Sequence, residues 1–536
     1  MRPPALLTAL LGPASLALVA GCGGGNPTQP APDQHVNLVL DIPNAVLDPI
    51  GYTTVEVTLH EANGDTVRAA AVDSAGRFDL GAIDPRPGVW IEAALRNDSG
   101  AAVGYGRTAT PSDFADGAEI VVPVRRPIAY IAGPKKAASN AWIGSAGTAS
   151  DLSTGARLDG SIQIGAKPVL VVAAGPRLYT LDQVANTSSG VLGGTASLRE
   201  VSTADHTTGA VVATLDGGSM QDGAGTDDGT ALVIATSTRL FVIDNVGGAS
   251  ASADVAVHEV AVGNFSRVAT VGMADGSRAA VAIAARGSAT GACATTAELW
   301  VIPDLANPVA TKLATGGFTD VAADAGKLYY IDGCKGELGE VKATGATKTR
   351  GGLTTTTSRA TALAVSNGQA WVGVEKPGVS GANSTPATTS LIVTPVGAGD
   401  MPRTLWTESA QQVLRATQFQ GVERRLDAVT AQFQQLELGA GGDYVVATIA
   451  SGFHGDRVSS ANFPTMDVVT EELRVFDAST GGAVQRYRSW CEGTFTTATI
   501  NDIDSWACSI TTGQTEPGNP DDEHRVTSMT FLFGKK

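Results

Sequence analysis

The sequence predicts an all-β chain, and three observations carry the prediction. Strand-length runs alternate apolar and polar residues, as in Leu473-Arg474-Val475-Phe476, the period of two that puts one face into a core and the other into water. The runs close on a shared turn spelling, Asp-x-x-Thr-Gly, at Asp151-Leu152-Ser153-Thr154-Gly155 and Asp205-His206-Thr207-Thr208-Gly209, with Asp477-Ala478-Ser479-Thr480-Gly481 ending the run above. Asp and Thr side chains accept from nearby amides in such turns, and Gly supplies the positive φ of a tight reversal. Finally, hairpins of this kind recur, and four strands in a unit of about 40 residues, repeated radially, is the pattern of a β-propeller. The expected fold class is therefore all-β, a small antiparallel β-sandwich followed by a β-propeller of seven blades, with six or eight as alternatives.

Composition sets the outer limits. The chain has 536 residues, 43% of them hydrophobic, with 64 Gly, enough to bury more than one core. Its net charge of −16, with no basic cluster, excludes a nucleic-acid surface, which needs Lys and Arg against phosphate.

Residues 1–21 begin with Arg2, run apolar from Ala5 to Ala20, and end in Leu18-Val19-Ala20-Gly21 before Cys22. The run is too short to span a bilayer, and its small residues suit a peptidase. This segment resembles the signal peptide and lipobox of bacterial lipoproteins. The resemblance implies cleavage before Cys22, lipidation of that cysteine, and a location in the bacterial cell envelope. Gly23 stands where an Asp would mark inner-membrane retention, which points to the outer membrane. Residues 22–35, rich in Gly and Pro, read as a flexible tether.

Residues 36–125 hold seven short alternating runs, at His35 to Leu40, Thr53 to Leu59, Thr66 to Val72, Arg77 to Ile83, Val89 to Leu95, Ala102 to Thr108 and Glu119 to Val124. Seven strands in about 90 residues suit a small sandwich. Gly76-Arg77-Phe78 and Gly88-Val89-Trp90 resemble the punctuation of carboxypeptidase-regulatory-like and other immunoglobulin-like domains, which implies a spacer or adhesive unit.

Residues 126–536 carry the repeat. Third-strand candidates are Ser197 to Val201, Leu240 to Asp244, Leu299 to Asp304, Leu338 to Lys342, Leu391 to Val396 and Leu473 to Asp477, each followed by a turn and a further run. Two inner pairs are visible, Thr319 to Ala323 with Lys327 to Asp332, and Ala362 to Ser366 with Gln369 to Val374. The final run, Arg525 to Phe533, is expected to close the ring by pairing near Ile128 to Ala132, because an open blade leaves unpaired edges. The turns resemble those of quinoprotein-like and YVTN-type propellers. The Trp that follows the Thr-Gly turn in quinoprotein blades is absent at Ala210-Val211-Val212 and Ala483-Val484-Gln485, so no cofactor is expected. One stretch, Ser409 to Leu438, fits either an inserted helix, with Val422, Leu426, Val429, Phe433 and Leu436 at helical spacing, or the first strand of the last blade.

Four cysteines follow Cys22: Cys293, Cys334, Cys491 and Cys508. In an exported protein they imply disulfides, with three pairings open. Cys491–Cys508 with Cys293–Cys334 is favoured, the latter bracing adjacent blades. No C-x-x-C pair supports a metal site. Asp222, Asp227 and Asp228 lack the oxygen alternation of a calcium loop, and no nucleophile elbow, phosphate loop or zincin motif is present. Long connections between second and third strands, at Arg286 to Ala297, Lys376 to Ser390 and Ser451 to Thr470, emerge on one face of a propeller. His454, Asp456, Arg457, Asn462 and Phe463 in the longest are the expected contact residues. The functional expectation is a lipid-anchored envelope binding or scaffold protein for a protein or glycan partner. The alternative is a propeller-fold lyase, lactonase or glycan hydrolase.

Overall fold

A computed structural model of the chain describes residues 7–8, 37–41, 51–136, 142–151, 168–183, 194–202, 208–246, 255–284, 295–377, 388–409, 413–427, 437–455, 466–477, 483–495 and 528–531, apart from short stretches within those spans. The chain divides into two units, Met1–Pro127 and Ile128–Lys536. All regular structure among the described residues is β-strand.

In the first unit the strands follow one hydrogen-bonded path: Leu7–Thr8, Asn37–Asp41, Glu119–Arg125, Ala102–Arg107, Arg86–Arg96, Thr54–His60 and Thr66–Ala71, with Ser112–Phe114 added to Arg86–Arg96. Most pairs are antiparallel, but Asn37–Asp41 runs parallel to Glu119–Arg125. That strand serves two partners: residues up to Pro123 pair with Asn37–Asp41, and Val124 and Arg125 pair with Gly106 and Tyr105. Gly106 makes the switch possible, since a Cβ there would collide with the Pro123 carbonyl. Alternation fills a single core with Leu38, Leu40, Val55, Val57, Leu59, Ile91, Leu95, Val122 and Val124. Each such side chain contributes roughly 1.5–3 kcal/mol by leaving water. Of the run Arg77 to Ile83, the described residues Phe78, Asp79 and Ile83 lie outside any strand, although Phe78 and Ile83 do enter the core.

The second unit is a ring of sheets. Six have four strands in simple up-and-down order. Blade 1 comprises Pro168–Ala174, Arg177–Asp182, Thr195–Val201 and Thr208–Asp216. Blade 2 comprises Met220–Gly225, Ala231–Thr236, Arg239–Asp244 and Ala256–Val262. Blade 3 is Phe265–Gly272, Arg278–Ala284, Ala297–Ile302 and Thr311–Gly316, and blade 4 is Phe318–Asp324, Lys327–Asp332, Glu337–Lys342 and Gly345–Arg350. Blade 5 is Arg359–Ser366, Gln369–Lys376, Thr388–Pro395 and Arg403–Ser409, and blade 6 is Glu437–Gly441, Tyr444–Gly455, Met466–Asp477 and Ala483–Phe495.

The closing blade joins both ends of the unit: Ser528–Phe531 pairs with Ile128–Lys136, which pairs with Trp142–Asp151. Ser528, Met529, Thr530 and Phe531 lie opposite Ala132, Ile131, Tyr130 and Ala129, as the alternating terminal run predicts. The first strands of successive blades neighbour one another all the way round, and Ser528–Phe531 sits between those of blades 6 and 1. The architecture is a β-propeller.

Two irregularities repeat. A bulge follows a buried Leu of the third strand at Leu198, Leu240, Leu299, Leu338 and Leu391. A second bulge lies near the start of the first strand in blades 1 to 5, for example between Met220 and Asp222 and between Phe318 and Asp320. Bulges add twist and re-aim the following side chain, which matters below.

Of the stretch Ser409 to Leu438, the residues 413–419 and 422–427 are described as strand rather than helix, while Val429, Phe433 and Leu436 lie outside the described residues. Val413–Phe419 and Val422–Asp427 form a two-stranded hairpin between blades 5 and 6. Val422 and Leu426, read as one helical stripe, instead lie in a single strand.

Candidate functional site

Up-and-down order fixes which loops share an end of the ring. First strands begin, and second strands hand over to third strands, at the same end. The connections at that end are long in blades 1, 3, 5 and 6, spanning 183–194, 285–296, 377–387 and 456–465. First-to-second turns at the other end are short, such as 325–326 in blade 4 and 367–368 in blade 5. Third-to-fourth connections, also at that other end, are extended in blades 2 and 3, at 245–255 and 303–310.

Beneath the long-loop end lies a row of buried charges. The residues just after the first-strand bulges of blades 2, 3 and 4 are Asp222, Arg267 and Asp320, at 1%, 3% and 6% exposure. Each carboxylate reaches into the next blade but one oxygen stays at home. Asp222 accepts from its neighbour Gly223 at 2.9 Å and from the Val268 amide of blade 3 at 3.0 Å. Asp320 accepts from Val321 at 2.9 Å and from the Leu363 amide of blade 5 at 2.9 Å. Arg267 Nε lies 3.4 Å from Asp320 Oδ1, so blades 3 and 4 share a buried ion pair.

Hydroxyls make similar ties. Thr530 Oγ1 of the closing strand accepts from the Ala173 amide of blade 1 at 3.1 Å, Thr270 donates to Gly225 O at 2.7 Å, and Thr319 donates to Ala360 O at 2.8 Å. Neighbouring first strands belong to separate sheets and do not pair as a ladder, and these side chains supply hydrogen bonds between them. Between blades 1 and 2 glycine does the work instead. A Cβ on Gly223 would sit 2.6 Å from Val172, and one on Gly225 would strike the Ala173 carbonyl.

The residues expected at the site fare unevenly. His454 lies on the second strand of blade 6, opposite Asp467, not in a loop. The strands of blade 6 extend to Gly455 and restart at Met466, shortening the expected 451–470 connection. Asp456, Arg457, Asn462 and Phe463 lie outside the described residues, as do Cys22, Cys293 and Cys508. Cys491 lies on the last strand of blade 6, opposite Thr470. Cys334 is disulfide-bonded and sits in the second-to-third turn of blade 4, at the long-loop end. Its amide and that of Lys335 donate to Asp332 Oδ1. The three aspartates weighed as a calcium loop are dispersed: Asp222 is in the inner strand, while Asp228 closes the turn through Thr226 and Thr230. Among the described residues no group of three or more His, Cys, Asp or Glu could hold a metal ion.

Asp320, Arg267 and Thr530 escape motif search. Their signal is a polar residue interrupting an apolar run at the same point of successive units, as in Ser266-Arg267-Val268 and Thr319-Asp320-Val321.

No family model and no curated protein matches the chain. Among solved structures it is similar to a periplasmic gluconolactonase of Pseudomonas aeruginosa, with 12% identity over 68% of this chain and 99% of that one and a TM-score of 0.41. The β-propeller domain of the Trilobed protease from Pyrococcus furiosus matches at 10% identity over 78% and 96%, with a TM-score of 0.31. An auxiliary nutrient binding protein from Bacteroides thetaiotaomicron matches at 9% over 73% and 87%, with a TM-score of 0.27.

Proposed function

We propose that the protein is a lipid-anchored binding or scaffold protein of the bacterial cell envelope, presenting the long-loop end of its propeller to a protein or glycan partner. The observation that carries this reading is the clustering of the 285–296, 377–387 and 456–465 connections at one end of a ring braced from within. Variable loops over a rigid scaffold are where recognition residues are placed. Asp222 and Asp320, two of the buried carboxylates beneath that end, spend oxygens on amides of neighbouring strands, and Asp332, at the end itself, accepts from the Cys334 and Lys335 amides. A lyase, lactonase or hydrolase would need such groups aimed at a substrate, so the arrangement favours binding over catalysis. Cys22 is the lipid attachment point in this reading, residues 22–35 the tether and 36–125 the sandwich spacer, with the outer membrane as the location. Among the described residues, removal of 1–21 would take from the first unit the short Leu7–Thr8 edge pairing. A Cys293–Cys334 bridge would tie the blade 3 loop to the blade 4 turn at the same end, leaving Cys491 and Cys508 to pair.

The test compares the native protein, recovered from membranes after mild cross-linking, with a variant whose 456–465 connection is a short Gly-Ser turn. The reading expects a stoichiometric partner with the first and its loss with the second. Recovery of both proteins alone would refute it, and Cys22→Ala should move the protein out of the membrane fraction.

A further inference from the structure

One apolar side chain stands apart from the packing of the ring. Met401 is 84% exposed, the highest value among the exposed large apolar residues described. Methionine is among the residues most often found inside. Met220, at 5% exposure, and Met273, packed against the core of blades 3 and 4, follow that rule.

Met401 lies in the third-to-fourth connection of blade 5, at the end of the ring away from the long loops. The backbone of that connection is pinned. Arg350, the last residue of blade 4, donates from Nε to Pro395 O at 3.1 Å and from its two terminal nitrogens to Asp400 O at 2.9 Å and Gly397 O at 2.8 Å. The Val396 amide donates to Gly368 O, in the first hairpin turn of the same blade, at 3.0 Å. A guanidinium presents its donors as a rigid fork, so the carbonyl just before Met401 is fixed to the neighbouring blade. Pro402, just after it, has its φ set by its ring. These ties run through main-chain groups on the loop side, and none uses the Met401 side chain. The folded loop itself holds the thioether in water.

Exposure without a packing role leaves the chemistry of the sulfur. A thioether is a soft, polarisable group, and an accessible one is open to two-electron oxidants. We propose that Met401 is a reversible oxidation site, with a hydroperoxide as the oxidant. The sulfur lone pair attacks the outer oxygen of ROOH. An S–O bond forms as the O–O bond breaks, the sulfur is oxidised by two electrons, and the departing RO⁻ takes the proton of the transferred oxygen and leaves as ROH. The sulfoxide is polar, so an apolar tip becomes a polar one while every tie of the loop stays in place. The same access admits a methionine sulfoxide reductase, which returns the thioether and water as two thiols become a disulfide. This site is distinct from the long loops and goes beyond the proposed partner-binding role.

The test exposes the folded full chain in detergent to dilute hydrogen peroxide and follows oxygen uptake peptide by peptide by mass spectrometry. Met401 should be oxidised at least about tenfold faster than Met220 and Met273. Methionine sulfoxide reductases of both epimer specificities, supplied with a dithiol, should restore it in the folded protein. Met401→Gln, polar and similar in size, should melt with the unsubstituted chain. Uptake at Met220 or Met273 as fast as at Met401 overturns the proposal, and so does a sulfoxide that is reduced only after unfolding. A Met401→Gln midpoint several degrees lower would place the side chain in a packed contact and overturn it as well.

Discussion

Replacing Asp320 with Ala should loosen the ring between blades 3, 4 and 5 more than any surface change of equal size. The side chain does two things at 6% exposure: it balances Arg267, itself 3% exposed, and it accepts the Leu363 amide at 2.9 Å. Removing one member of a buried ion pair typically costs about 3–5 kcal/mol, because the other charge is left uncompensated. An unmet buried amide costs roughly 1–3 kcal/mol alone. The two losses share one site and do not add in full, so about 4 kcal/mol is expected.

A domain of this size is not safely two-state, so native-state hydrogen exchange is the better assay. The peptide containing Leu363 should exchange at least ~100-fold faster, since each 1.4 kcal/mol is tenfold. Peptides in the first unit should be unaffected. Pairing Asp320→Asn with Arg267→Met removes both charges and keeps an acceptor, and it should recover most of the loss. If Asp320→Ala exchanges within a fewfold of the unsubstituted chain, or the double variant is no better than the single, the buried pair is not bracing the ring.

Three further outcomes follow from the same geometry. Thr530→Val deletes the acceptor for the Ala173 amide and should cost about 1–2 kcal/mol, read as faster exchange in Pro168–Ala174. Gly225→Val forces a side chain into the Ala173 carbonyl and Ala174; it should destabilise by at least ~1–3 kcal/mol, with the melting midpoint as readout. Tyr179 is fully buried, and burial with help from Glu200 pushes its phenol up to about 12. The folded state therefore keeps this proton while the unfolded chain, titrating near 10, gives it up. Its stabilising share is complete below pH 10 and is lost between about 10 and 12, on the order of 2 kcal/mol. Tyr179→Phe should flatten that alkaline part of the stability profile, and an unchanged profile would contradict the assignment.

Much of the propeller is legible in the sequence because its third strands alternate cleanly around a buried Leu and its turns use a fixed chemistry. The terminal run 525–533 is a good instance: alternation plus the need to close a ring is enough to find its partner at Ala129–Ala132. Where local pattern is ambiguous, tertiary pairing decides. Val422 and Leu426 sit four apart, a spacing that a helix and a strand face both permit, and only the pairing of Leu426 with Leu414 distinguishes them. Within Arg77 to Ile83 the described residues Phe78 and Ile83 are buried without pairing in a strand, so burial alone can produce an apolar spacing that resembles one. The row of Asp222, Arg267 and Asp320 is hidden because it is a property of neighbouring blades. Asp222 reads as a loop ligand in its Gly-rich context until the fold puts Val268 beside it.

The proposed binding face is tested most directly by lysines that the fold distributes between its two ends. Lys335 and Lys376 are exposed where second strands end, on the long-loop side, while Lys327 and Lys342 are exposed at the opposite end of blade 4. Amine cross-linking of the protein in its native membrane, followed by mass spectrometry, reports which of them a partner approaches. Binding through the long-loop face predicts partner cross-links through Lys335 and Lys376 and none through Lys327 or Lys342. Links concentrated on Lys327 and Lys342 would contradict it and place recognition on the other end of the ring.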